Sequence, residues 1–213
     1  MKSQRNSFEY MRHIALLFPT IVILILAFAP SLLFAKASSS DQSTDELAAQ
    51  VANLKLGLNG YLIGTTLTEE QKKTAKKHPV AKAYEGTYKF QDDDVFVVVS
   101  KKTDMILAVY QRQENGTRED MRKMVGRLML EFGEPTTMAH DQIIYWAYNK
   151  DGKISQELYN SAKQSGQLNI LATVKFKSNI TSLADVPEDK TTATLYVIIT
   201  SEPLVQRFMS KAE

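Results

Sequence analysis

The chain of 213 residues contains no cysteine. That excludes disulfides, thiolate metal sites, a cysteine nucleophile and a lipid-modified N-terminal cysteine. Histidine is nearly as scarce: of three, only His78 and His140 follow residue 37. An excess of positive charge is also missing once the chain is divided. Lys2, Arg5, Arg12 and Lys36 are four of the 26 basic residues, and Glu9 is one of the 24 acidic ones. Residues 38–213 therefore carry 22 basic against 23 acidic residues, a net charge near −1. The apparent basicity belongs to the first segment, so no nucleic-acid partner is expected. Without disulfides, the rest of the chain must rely on a hydrophobic core, and its length suffices to bury one.

What the first segment does have is an order. Three basic residues precede an uncharged stretch from Ile14 to Ala35, and Ala35-Lys36-Ala37 leads into Ser38-Ser39-Ser40. A positive start, an apolar middle and a small-x-small end form the pattern of an export signal, with cleavage after Ala37. The stretch is also about as long as a bilayer crossing requires. Two outcomes follow: a released domain, or a domain tethered to the inner membrane by residues 14–35. Both place it in the periplasm or cell envelope, and the membrane is a partner only if the segment is uncleaved.

Residues 38–43 form a polar tether, and 44–213 a single α+β domain. Thr44-Asp45-Glu46 supplies a helix start, with Leu47, Val51 and Leu54 at helical spacing until Gly57 and Gly60 end it. Thr68-x-x-Gln71 fits a capping box for a lysine-rich helix that stops before Pro79. Gly86–Phe90, Val95–Val99 and Met105–Gln111 then predict an antiparallel meander, with Val95–Val99 buried on both faces. Met121, Met124, Val125, Leu128 and Phe132 line one face of a second capped helix ending at Gly133. Gly126 inside that helix predicts close packing against a sheet. Strands at 143–148, 171–177 and 192–200 complete the pattern, with a weak helix at 155–164 and a terminal helix from Pro203. The expected fold is an antiparallel sheet of about six strands with helices on one face. The order helix-plus-three-strands occurs twice, over residues 67–113 and 117–200.

Phe132-Gly133-Glu134-Pro135 ends a capped helix, and Tyr145-Trp146-Ala147-Tyr148 starts a strand about ten residues on. This resembles the helix, L-G-x-P and W-x-Y strand pattern of bacterial envelope proteins of the BamE/SmpA type. Those share a helix-then-meander layout with the β-lactamase inhibitor proteins, which carry it in tandem. Ile63-Gly64-Thr65-Thr66-Leu67-Thr68 is similar to that family's lead-in to the earlier helix. Phe132 stands in place of the usual leucine, the first copy lacks a G-x-P, and no lipid-accepting cysteine is present. The resemblance implies an envelope scaffold or binding domain rather than an enzyme, and the missing cysteine speaks against a lipid anchor.

Candidate sites are few. Asp92 and Asp94 could offer carboxylates to a metal ion, but consecutive side chains on a hairpin point apart, which favours a solvated turn. His140 beside Asp141 could orient a general base, with no nucleophile placeable beside it. Lys73 and Lys77, with Lys72 and Lys76, form a basic helical face for anionic lipid headgroups or an acidic partner, with a solvated surface the favoured reading. Trp146 shares a strand face with Ile144 and Tyr148 and is expected inside, which leaves Tyr145 for a recognition surface. Asn115-Gly116-Thr117 and Asn179-Ile180-Thr181 match glycosylation sequons by chance in a chain with a bacterial-type signal. No cofactor is implied. The expected function is non-enzymatic: binding of another envelope protein, or a scaffold. The alternatives are a module whose bare sheet cradles a small apolar molecule and a hydrolase using His140 and Asp141.

Overall fold

A computed structural model describes residues 43–81, 83–139, 143–178 and 192–209. These fall within one compact unit spanning 40–213. The export pattern with its cut after Ala37, the 14–35 stretch and most of the tether lie outside the described residues, as do His140, Asp141 and the Asn179 sequon. Among the described residues no helix is long and apolar enough to cross a membrane.

The chain runs α1 (Thr44–Asn53), β1 (Gly57–Leu58), β2 (Tyr61–Leu62), α2 (Glu69–Lys77), β3 (Pro79–Val80), β4 (Thr87–Asp92), β5 (Val95–Ser100) and β6 (Ile106–Gly116). It continues through α3 (Arg118–Phe132), β7 (Thr137–Ala139), β8 (Ile143–Asn149), β9 (Gly152–Lys153), α4 (Gln156–Gln164), β10 (Ala172–Ser178), β11 (Ala193–Thr200) and α5 (Glu202–Met209). The fold is α+β, with an antiparallel sheet in the order β3-β4-β5-β6-β11-β10-β8-β7 and β9 paired to β8. The six expected strands are its long members, and three short ones extend it to nine. The order is a palindrome. A helix, a short edge strand and a three-strand meander (α2, β3, β4-β5-β6) are matched by α3, β7 and β8-β10-β11, and the last strands of the two sets meet in the middle.

Helix starts follow local chemistry. Thr68 and Thr117 each accept from the backbone three residues on, and Gln71 and Asp120 reach back to close two capping boxes. The first helix departs from expectation at both ends. Ser43, not Thr44, is its N-cap, accepting from the Glu46 N–H, and it stops at Asn53 rather than running to the glycines. Gly57 and Gly60 instead belong to a two-strand hairpin, β1–β2. The next glycine, Gly64, has φ +81°, and a Cβ there would lie 2.8 Å from the Ala48 carbonyl oxygen and the Ala52 nitrogen on α1. Only glycine lets the two backbones approach so closely.

The core lies on one face of the sheet, the covered face. Phe90, Val97, Val109, Ile199, Val174 and Trp146 are register partners across successive strands, and all are inaccessible to solvent. The α3 stripe of Met121, Met124 and Leu128 is buried with Val125 and Phe132 packed beside it, and Phe132 meets Trp146 at 6.2 Å between ring centroids. Trp146 Nε1–H donates to the Gly133 carbonyl at 2.7 Å, so the end of α3 is tied to the strand beneath it. On the other half, Tyr61 packs edge-on against Phe90, and α2 lies along β4 with Ala75 buried. Gly126 does not fit its expectation: a Cβ there would meet nothing within 4 Å. Close packing is not its reason.

Candidate functional site

Among the described residues, the second face of the sheet is open in part, its side chains half-buried rather than covered. Burial alternates residue by residue along β11, from Ala193 to Thr200, because one face is covered and the other keeps partial access to solvent. β5 shows the same contrast. Val95, Val97 and Val99 are buried, whereas Phe96 and Val98 are half-buried on the open face. The expectation that Val95–Val99 is buried on both faces is thereby corrected.

Register places the open-face side chains in rows. One row runs Gln91, Phe96, Tyr110, Ile198, Lys175 and Tyr145 across six strands. At about 4.8 Å per strand it spans roughly 24 Å. A neighbouring row holds Arg112, Tyr196, Lys177 and Ile143. On the other side lie Lys89, Val98, Ala108, Thr200, Thr173 and Ala147, of which only Ala147 is buried. Phe96 and Tyr110 stack with centroids 4.8 Å apart and planes at 7°. Arg112 lies 6.0 Å from the Tyr196 ring centre, and Lys175 lies 5.6 Å from that of Tyr145. Each cation–ring contact holds a polar side chain against an aromatic one and keeps both at the surface. At the β8 end the face descends into a groove of about 620 Å³, where Tyr145 and Lys175 face Tyr159 and Lys163 of α4 and Glu202 and Gln206 of α5.

Tyr145 is where the sequence puts it, half-buried on the open face. Trp146 is fully buried beside it. Lys73 and Lys77 are exposed, but they lie on α2, whose strand contacts are on the covered side, so they do not join Tyr145. Lys76 and Lys77 occupy the last turn of α2, with Glu69 and Glu70 in the first, an arrangement that complements the helix dipole. Lys72 is drawn out of the basic face by Glu69 at 3.0 Å and Asp104 at 3.3 Å.

The acids of the β4–β5 turn are separately engaged. Asp92 accepts from the Tyr61 hydroxyl at 2.7 Å, Asp93 adopts φ +51°, and Asp94 accepts from the Gln111 side chain on the covered face. Asp92 and Asp94 do not converge as a ligand pair. Among the described residues no group of three or more His, Asp or Glu is placed to hold a metal ion. His78 caps the end of α2 and lines a shallow depression with Asp92 and Asp93.

Phe96, Tyr110, Arg112, Tyr196 and Ile198 were not singled out from sequence. The signal was there in part: Tyr196 and Ile198 take the positions between the core residues of β11, and Tyr110 follows buried Val109 on β6. Their gathering on one surface depends on the β6–β11 pairing, which joins residues about ninety apart. Comparison with protein-family models, with curated proteins and with solved structures gave no match to this chain.

Proposed function

We propose that the chain is an exported, non-catalytic envelope domain that docks another envelope protein on the open face of its sheet. The carrying observation is the array of half-buried Phe96, Tyr110, Tyr196 and Ile198 beside Arg112 and Lys175. Aromatic and arginine side chains dominate the energetics of protein interfaces, and a sheet that leaves them accessible on one face supports this use. The ordering of charge and apolarity in residues 1–37 supports export, with the domain released if the chain is cut after Ala37 and tethered if it is not. The tandem helix-and-meander layout and the resemblance to envelope scaffold proteins point the same way.

A photo-cross-linking amino acid placed at Tyr196 or Ile198, in intact cells, is expected to give protein adducts identifiable by mass spectrometry. The same probe at Lys123, on the exposed side of α3, is expected to give none. Adducts from all three positions alike, or from none, would remove the basis for a docking face.

One observation favours a second reading, a small-molecule module. The groove beside Tyr145 has a size within the usual range of ligand pockets. Its walls mix Tyr159 and Ile170 with Lys163, Lys175 and Glu202, which suits an amphipathic ligand better than an apolar one. The hydrolase alternative rests on His140 and Asp141, which lie outside the described residues.

A further inference from the structure

We infer that the partner presents an acidic segment, whose carboxylates meet Arg112, Lys175 and Lys177 while an apolar side chain beside them seats on Phe96, Tyr110 and Ile198. The inference rests on the docking-face reading and specifies the chemistry of what docks there.

Charge on the open face is lopsided. Its strand positions carry Lys89, Arg112, Lys175 and Lys177; against them stand Glu114, which pairs with Arg112, and Glu202 of α5, which shares the groove with Lys175 and Lys163. Residues 38–213 as a whole are close to neutral, so this excess is placed rather than inherited from composition. Neither Lys175 nor Lys177 has a carboxylate partner among the described residues. They sit two apart on one strand and so share a face, where like charges repel unless an opposite charge neutralises them.

The distribution within the face is as telling as the sum. The open-face positions where β5 and β6 pair are apolar, with Phe96, Val98, Ala108 and Tyr110. Arg112, beyond that pairing on β6, and Lys175 and Lys177 on β10 lie next to Tyr196 and Tyr145. The nearby acids of the β4–β5 turn do not offset them, because Asp94 is turned to Gln111 on the covered face and Asp92 to Tyr61. A surface apolar on one side and cationic on the other complements a segment that is apolar on one side and anionic on the other. Such complementarity steers association and rejects partners of the wrong sign. A single-stranded nucleic acid would also meet stacked rings and cations, but it would require a phosphate track along the face, and the β4–β6 side supplies only Lys89 and Arg112, the second already paired with Glu114.

The test uses the full chain as the cell processes it, immobilised and offered a phage-displayed library of random peptides. Retained peptides are expected to be enriched in Asp and Glu next to an aromatic or aliphatic residue. Retention is expected to fall on raising salt and to drop by about tenfold or more in the double variant Lys175→Glu, Lys177→Glu, where like charges now face each other. Both lysines are at least partly exposed, and circular dichroism of the variant confirms that it folds. If Phe96→Ser abolishes retention but charge reversal leaves the selected sequences unchanged, the docking face stands and the acidic partner falls. If neither substitution changes what is retained, both readings fall. A labelled oligothymidylate held through Lys175 and Lys177 more tightly than any acidic peptide would overturn the inference in favour of nucleic acid.

Discussion

Three tyrosines show how far burial governs side-chain chemistry in this domain. The Tyr61 phenol is pushed well above its ordinary range, first by burial and then by its hydrogen bond to Asp92. Tyr88 is raised in the same way by burial and by Asp104, to which it donates at 2.9 Å. Tyr148 is pushed up to about 12 by burial and by the negative charge of Glu131. A free phenol ionises near pH 10. Between about pH 10 and the folded values the denatured chain loses these protons and the native state keeps them. The stability they contribute is therefore complete below about pH 10 and is lost as pH rises through the folded range. Urea denaturation is expected to show a steep fall in stability as pH rises from about 10 toward about 12. Phenolate absorbance should show at least three of the nine tyrosines ionising late, in step with unfolding. A titration in which all nine ionise together without loss of structure would contradict this.

Arg118 works in the opposite sense. It is buried at the first turn of α3, where a positive charge opposes the helix dipole, and its Nε and Nη2 have no hydrogen-bond partner among the described residues. Thr136 shows the satisfied case. Its buried hydroxyl donates to the Ile154 carbonyl at 2.7 Å and accepts from the Ala147 N–H at 3.0 Å, locking the β8–β9 hairpin to the turn after α3.

Helix α3 carries its own inconsistency. Its cap, its early acids and its apolar stripe all agree, yet Gly126 sits in its middle with open space around the missing Cβ. Glycine in a helix interior costs about 1 kcal/mol against alanine, largely through the freedom it retains when unfolded. Gly126→Ala is expected to stabilise the domain by up to about 1 kcal/mol, read as a higher urea midpoint at unchanged slope. A lower midpoint would mean that the outer face of α3 is covered. The end of the same helix is held from outside, by Lys153 Nζ donating to the Phe132 and Glu134 carbonyls at 3.0 Å each. Those carbonyls lack helical partners, so a cation from β9 satisfies them.

The two faces of the whole sheet can be compared at neighbouring residues. Val97 is inaccessible on the covered face and Val98 is half-buried on the open one. Val97→Ser is expected to cost on the order of 2–4 kcal/mol, from lost burial, a residual cavity and an unpaired hydroxyl. Val98→Ser is expected to cost less than about 1 kcal/mol, as at other surface positions. Equal costs in urea denaturation would show that the second face is covered in solution, and the docking proposal would lose its surface.

Much of this fold is legible along the chain because its signals are local. Capping at Thr68 and Thr117, the α3 stripe, and the alternation in β10 and β11 each depend on side chains a few residues apart. The β1–β2 hairpin is too short for a period to show. Phe96 and Val98 read as core because a run of β-branched and aromatic residues is apolar whether or not anything covers it. Periodicity separates the two sides of a strand, but it does not say which of two apolar sides will find a helix.

That choice belongs to long-range packing. Local chemistry set the kinds of element, where the helices begin, and which strand positions are apolar, since propensity, capping and alternation act between neighbours. The pairing of β6 with β11 and the placement of both α2 and α3 on one side came from contacts distant along the chain. Among the described residues those contacts left the opposite side of the sheet partly exposed, with Tyr110, Arg112, Tyr196 and Lys175 side by side. A binding surface of this kind has no local signature, because its members become neighbours only when the two meanders join.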